Sequence, residues 1–176
     1  MAFYYPNIQN DMWRIVGLCF FADKQHFIAP DGRHYREEEL KAFLTCQGIA
    51  LYDTCTRIVR TQGTASDKDL LVVEQTDIVS LLDRLPQCRA IVTAGQLATT
   101  LCCRQLDALA EAERQREGAT AENHCVCPKV GEYATVTVGG RQLRLYRMPS
   151  SSRAYPMALE KKASMYQRVF DYCFLE

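Results

Sequence analysis

The sequence predicts an α/β fold of three layers (αβα), with helices on both faces of a mostly parallel central sheet. Short apolar or alternating runs are interleaved with segments of helical period, and that interleaving is the pattern of such layered folds. The 176 residues suit one domain, read as spanning 1–176, and are enough to bury a full core.

The elements follow in order. NDMWRIVGLCFF (10–21) reads as a short helix: Asn10 is placed to cap it, and Met12, Trp13, Val16 and Cys19 mark an apolar face. APDGRHY (29–35) is a turn. REEELKAFLTCQG (36–48) is a helix with acids in its first turns and Gly48 as its stop. IALYD (49–53) reads as a short buried strand ending at Asp53, and RTQGTASDKD (60–69) as a polar loop. TDIVSLLDRLP (76–86) is a helix capped by Thr76 and halted near Pro86. CRAIVTAG (88–95) is a strand running into Gly95, which allows the tight turn into a helix at 96–114. Residues 115–130 lack periodicity and read as a loop. YATVTV (133–138) and RQLRLYRM (141–148) alternate around Gly139-Gly140, a hairpin whose turn tolerates positive φ. MALEKKASMYQRVFDYCF (157–174) is the last helix, with Met157, Met165, Val169, Tyr172 and Cys173 largely on one side.

Lys+Arg and Asp+Glu both number 21, so the net charge is zero, which disfavours a general polyanion binder. The balance is uneven along the chain. From Arg141 to Glu176 seven basic residues (Arg141, Arg144, Arg147, Arg153, Lys161, Lys162, Arg168) stand against three acidic ones (Glu160, Asp171, Glu176), leaving +4 there and −4 elsewhere. This is either solvated surface or a local phosphate-facing patch. No apolar run is long enough to span a membrane. The opening MAFYYPNIQNDMW lacks the basic and then apolar regions of a signal peptide, so the chain reads as cytoplasmic. Nine scattered cysteines do not look like a disulfide framework and read as reduced, mostly packed thiols. The tightest cluster, His124 with Cys125-Val-Cys127, lacks the Cys-x2-Cys pairs of a zinc ribbon, so no metal is expected.

Four segments carry a resemblance: YYPNIQNDMWRIVG (4–17), GIALYDTC with GTASD (48–55, 63–67), IVTAGQLA (91–98) and MPSSSRAYP (148–156). In this order they resemble the uracil-DNA glycosylase superfamily, closest to its mismatch-specific and hypoxanthine-DNA glycosylase branches. The first resembles the family's Tyr-Tyr…Asn-x-Phe-Trp segment, the second its base-recognition strand and following loop. The third resembles its next strand and turn, the fourth the loop that wedges into DNA. The family's first strand and its Gly-x-x-Pro-type first motif are missing ahead of Tyr4. An absent central strand would expose sheet edges, which a second copy of the chain would cover.

The resemblance implies a chemistry. Breaking an N-glycosidic bond leaves an oxocarbenium-like sugar and an anionic base, so the enzyme must stabilise both, position a water and hold the base outside the stack. Asn10 matches the asparagine assigned to catalysis in the hypoxanthine-type branch, where an amide orients water rather than taking a proton; its other reading is the helix cap. Asp11, adjacent, is either a general base or a first-turn acid. Asp53 matches the position where classical uracil enzymes place an asparagine that reads the base edge; an ionised carboxylate accepts only and so favours an edge of N–H donors, and its other reading is a cap on the following turn. Tyr5, with Tyr4, offers a stacking face or a core aromatic. Pro149, Ser150, Ser151, Ser152 and Arg153 form a rigid loop suited to phosphate contacts, or an ordinary Ser-rich turn with a helix cap. Met148 stands where classical uracil enzymes have a histidine. Ser150 has no triad context and no Gly-x-Ser-x-Gly elbow, which speaks against a serine hydrolase. The expected function is removal of a flipped deaminated base, uracil or hypoxanthine, from DNA, with no cofactor and no metal. The other reading is a glycosylase-fold protein that binds DNA or a partner without catalysis.

Overall fold

The computed structural model describes residues 3–60, 70–117 and 127–175. In chain order its elements are α1 (Met12–Phe21), α2 (Glu37–Gln47), β1 (Cys55–Arg60), β2 (Leu70–Gln75), α3 (Ile78–Asp83), β3 (Ala90–Ala94), α4 (Gln96–Glu117), β4 (Glu132–Val138), β5 (Arg141–Met148) and α5 (Leu159–Phe174). The class is mixed α/β, as expected. Among the described residues the single mostly parallel central sheet is not formed: the strands make a two-stranded sheet, β1-β2, and a three-stranded sheet, β3-β5-β4. Two compact units result, Met1–Tyr52 with Met148–Glu176, and Asp53–Arg147. Among the described residues no helix is long and apolar enough to cross a membrane.

The first unit is helical. α1 starts at Met12, whose N–H donates to Asn10 Oδ1 at 2.9 Å, so the asparagine caps from one residue before the cap position itself. α1 ends at Ala22, in the left-handed region with φ 54°. Trp13, Ile15 and Val16 on α1, Leu40 and Leu44 on α2, and Ala163, Tyr166 and Val169 on α5 are buried. Each such large side chain contributes about 1.5–3 kcal/mol on leaving water. Phe20 adds an aromatic junction, its ring 4.9 Å from Phe43 and 4.7 Å from Phe170. Gly17 is needed for close approach: a Cβ there would overlap the carbonyl oxygen of Asp23. α2 begins with Glu37, Glu38 and Glu39, which suit the positive end of the helix dipole, and stops at Gly48 with φ 66°. The face of α5 differs from the sequence reading. Lys162, Ala163, Tyr166 and Val169 are its buried residues, so Val169 alone is shared with the expected set.

The second unit holds both hairpins. β4 and β5 are antiparallel, with Val138 opposite Arg141 across Gly139 and Gly140, both of positive φ, as the alternation predicted. β3 lies on the other side of β5. The Arg144 N–H donates to Arg89 O, and the Thr93 hydroxyl donates to Tyr146 O, so the two tie points advance in the same sense along both chains. Leu143 and Leu145 of β5, Val136 and Val138 of β4, and Cys102 and Leu106 of α4 form one buried cluster with Leu82 of α3. Gly95, at φ 99°, makes the turn from β3 into α4.

Three local expectations are corrected. Residues 49–53 make no strand, because among the described residues no neighbouring chain pairs with them; the ladder begins at Cys55, paired with β2. Asp77, not Thr76, caps α3, accepting from the Ser80 N–H at 3.0 Å. The Thr76 hydroxyl is spent on Asp53 O at the base of the β1-β2 hairpin. Cys103 and Cys127 are joined, with Cα atoms 6.1 Å apart, within the span of a disulfide and against the expectation of unpaired thiols. His124 and Cys125, and the GTASD segment, lie outside the described residues.

Candidate functional site

The residues that converge are those of the first and last motifs. Asn10 and Ser152 form an isolated antiparallel bridge. The Asp11 N–H donates to Ser151 O at 2.8 Å. The head of α1 is thus stitched to a loop some 140 positions away in the sequence. The reason is local: the residues ahead of α1 leave orphan N–H groups, and the extended chain after Pro149 offers carbonyls to meet them.

Charge gathers on this junction. Asp11 is buried, at 7 % exposure. Its Oδ1 accepts from Arg153 Nε at 2.9 Å and lies 3.8 Å from Arg14 Nη1, and its Oδ2 lies 3.8 Å from Lys162 Nζ. Three cations around one carboxylate leave an excess of positive charge. Arg14 is held in turn by Ile8 O at 2.7 Å and Tyr35 Oη at 2.8 Å. The Tyr35 hydroxyl donates to Asn10 O at 2.6 Å. Burial raises the Tyr35 hydroxyl above its ordinary value, and the Arg14 and Arg153 charges draw it back down. Arg153 also reaches Gln9 Oε1 at 3.0 Å.

Each expected site residue has a definite place. Asn10 is half-buried, and its Oδ1 serves the cap of α1. Asp11 is bound to cations through both carboxylate oxygens, Oδ1 toward Arg153 and Arg14 and Oδ2 toward Lys162. Tyr5 adopts a positive φ of 49° and sets its ring edge-on to Trp13, 6.1 Å between centroids, as a packing aromatic. In the loop, Pro149 and Ser151 are buried, Ser150 and Ser152 are half-buried, and Arg153 is exposed. Only the latter three have side chains open to a ligand. Met148 is buried at 1 % exposure. Asp53 belongs to the other unit and is exposed rather than set at the end of a buried strand. Arg147, also in that unit, donates to Gln96 Oε1 and to Pro128 O.

Sequence reasoning did not find Arg14, Tyr35 or Lys162 as members of this junction. Lys162 carried a usable signal: it shares the i, i+4, i+7 face of α5 with Tyr166 and Val169, both buried. Arg14 and Tyr35 carried none, since their meeting depends on how the 23–36 turn folds back. That turn frames an open hollow of about 480 Å³ lined by Asp23, His26, Pro30 and Arg36 among others. A second of about 190 Å³ lies beside Phe3, Tyr4 and Lys41. Neither is lined by Asn10, Asp11 or the 150–153 loop. Among the described residues no group of three or more His, Cys, Asp or Glu side chains is placed to hold a metal ion.

No family model, no curated protein and no solved structure matches this chain.

Proposed function

We propose that this protein acts on DNA as a monofunctional glycosylase of the uracil-DNA glycosylase type, hydrolysing the N-glycosidic bond of a flipped uracil or hypoxanthine. The observation that carries this reading is the junction of Asn10 and Asp11 with Ser151 and Ser152. The two segments that resemble the family's catalytic and DNA-wedge motifs meet directly, although they stand at opposite ends of the chain. Of the cations around Asp11, the exposed Arg153 suits a phosphodiester passing nearby, since charge-assisted contacts dominate DNA affinity. Asn10 would orient the attacking water through its amide group, and Ser150 to Arg153 would hold the backbone.

A specific observation favours a second reading, DNA binding without catalysis. Asn10 Oδ1 is already engaged with the Met12 N–H, and Met148 offers no donor to a departing base.

The deciding assay incubates the protein with single-stranded and duplex oligonucleotides carrying uracil or hypoxanthine, then cleaves abasic sites with alkali. Asn10→Asp keeps the cap acceptor and removes the amide donors; Asn10→Ala removes both. Breaks with wild type that disappear in both variants support the glycosylase. Breaks lost only in Asn10→Ala give Asn10 a structural role. Retention of DNA with no breaks in any substrate supports the second reading.

A further inference from the structure

Lys162 is 1 % exposed, and among the described residues it and Asp11 are the charged side chains that are buried. A lysine in the first turn of a helix has an easy way out to solvent through its flexible stem. Burying an ammonium is costly unless it is paired and hydrogen-bonded. Lys162 is both: Nζ donates to Ser152 O at 2.8 Å and lies 3.8 Å from Asp11 Oδ2. The Tyr155 ring flanks it, 5.9 Å to the centroid.

These contacts converge on one loop. Tyr166, one turn along α5, donates its hydroxyl to Pro149 O at 3.2 Å. The Asp11 N–H takes Ser151 O, Lys162 takes Ser152 O, and the Asp11 carboxylate takes Arg153 Nε. Four successive or near-successive residues are thus pinned from behind, and the exposed Arg153 is the one whose charge faces outward.

We propose that Lys162 is a positioning residue for a DNA phosphate: from the interior it fixes the Ser152 carbonyl and the Asp11 carboxylate, which together set the orientation of Arg153. This rests on the DNA-directed reading above. A core lysine with no such role would stabilise the unit without tuning how the loop meets a phosphodiester. Burial holds its ammonium below the ordinary lysine value, Asp11 draws it back up, and Arg153 pushes it down, so the charge depends on Asp11 for its support.

The test compares wild type with Lys162→Gln and Lys162→Met, each first confirmed as folded by near-ultraviolet circular dichroism. Backbone hydrogen exchange is read over 149–158, and affinity for a uracil-containing oligonucleotide is read by fluorescence anisotropy against salt. We expect faster exchange confined to this loop. Affinity should fall roughly tenfold in Lys162→Met, about what the loss of one hydrogen bond to a charged group costs. Lys162→Gln, which keeps a donor for Ser152 O, should lie between, and in a turnover assay the loss should fall on KM more than on kcat. If neither variant folds, Asp11→Asn, which removes the charge that supports Lys162, takes their place with the same readouts. Loop exchange and affinity both at wild-type levels would overturn the proposal. A wild type that binds no DNA would overturn the reading beneath it, a distinguishable result because it appears before any variant is made.

Discussion

The main-chain N–H of Asp11 donates to the carbonyl oxygen of Ser151 at 2.8 Å, while the side chain of the same aspartate takes Arg153 Nε at 2.9 Å. One residue therefore holds the loop by its backbone and its charge together. Its loss separates the two effects. Asp11→Ala leaves Lys162 buried beside no carboxylate and should cost about 3–5 kcal/mol. Asp11→Asn keeps an acceptor and should cost less. Urea unfolding followed by fluorescence measures both; a cost under about 1 kcal/mol for Asp11→Ala would remove the ion cluster from any account of stability.

Gly17 is a packing glycine rather than a flexible one. Gly17→Ala places a Cβ against the Asp23 carbonyl oxygen, which belongs to backbone and yields poorly. The expected cost is about 1–3 kcal/mol, from overpacking. A melting temperature equal to wild type would show that the turn after α1 moves aside freely.

The Cys19 thiol donates to Ala163 O at 3.4 Å, and burial, helped by the Asp171 charge, pushes it from 9.0 to about 12. In the unfolded chain the thiol loses its proton near 9, so between there and about 12 the native state holds the proton that the unfolded state has released. Stability from this group is complete below pH 9 and falls as pH rises toward 12. Cys19→Ala should flatten the alkaline limb of a stability–pH curve measured by urea unfolding. An unchanged slope would place the thiol in water.

Cys103 and Cys127 are separated by 24 positions. Closing a loop of that order stabilises by about 3 kcal/mol in the chain-entropy view. Protein prepared without reductant should give a linked peptide on digestion, and Cys127→Ser should lower the urea midpoint. Two unlinked, alkylated peptides from such a preparation would defeat the pairing.

The helices were legible where the sequence carried stop and start chemistry. Glu37 to Glu39 and Gly48 bracket α2, and Gly139-Gly140 between alternating runs marks β4 and β5, because these residues act through their own backbone preferences. What depends on tertiary partners was not legible. IALYD is apolar enough for a strand, but a strand needs a neighbour, and the pairing partner went to Cys55–Arg60 instead. CTRIVR carries two arginines that break the apolar signal of a half-buried strand, so β1 is marked by its pairing with β2 and not by its composition. At the candidate site, Asn10, Ser152 and Arg153 could be singled out by motif. Lys162 lies outside every motif, and only its place on the face of α5 shared with Tyr166 and Val169 marks it, against the rarity of buried lysines.

The first unit is built from two stretches, and the chain departs at Tyr52 and returns at Met148. During synthesis the apolar face of α1 emerges long before α5, which it packs against. At ~5–20 residues per second, the wait is on the order of ten seconds. Through that interval the face of α1 that carries Ile15 and Val16 lacks α5, and the head of α1 lacks the loop that completes it. The junction would come into being only after the loop at Ser151 and Ser152 has emerged, so a chain cut short before Met148 would carry the first motif whole and its partner loop not at all.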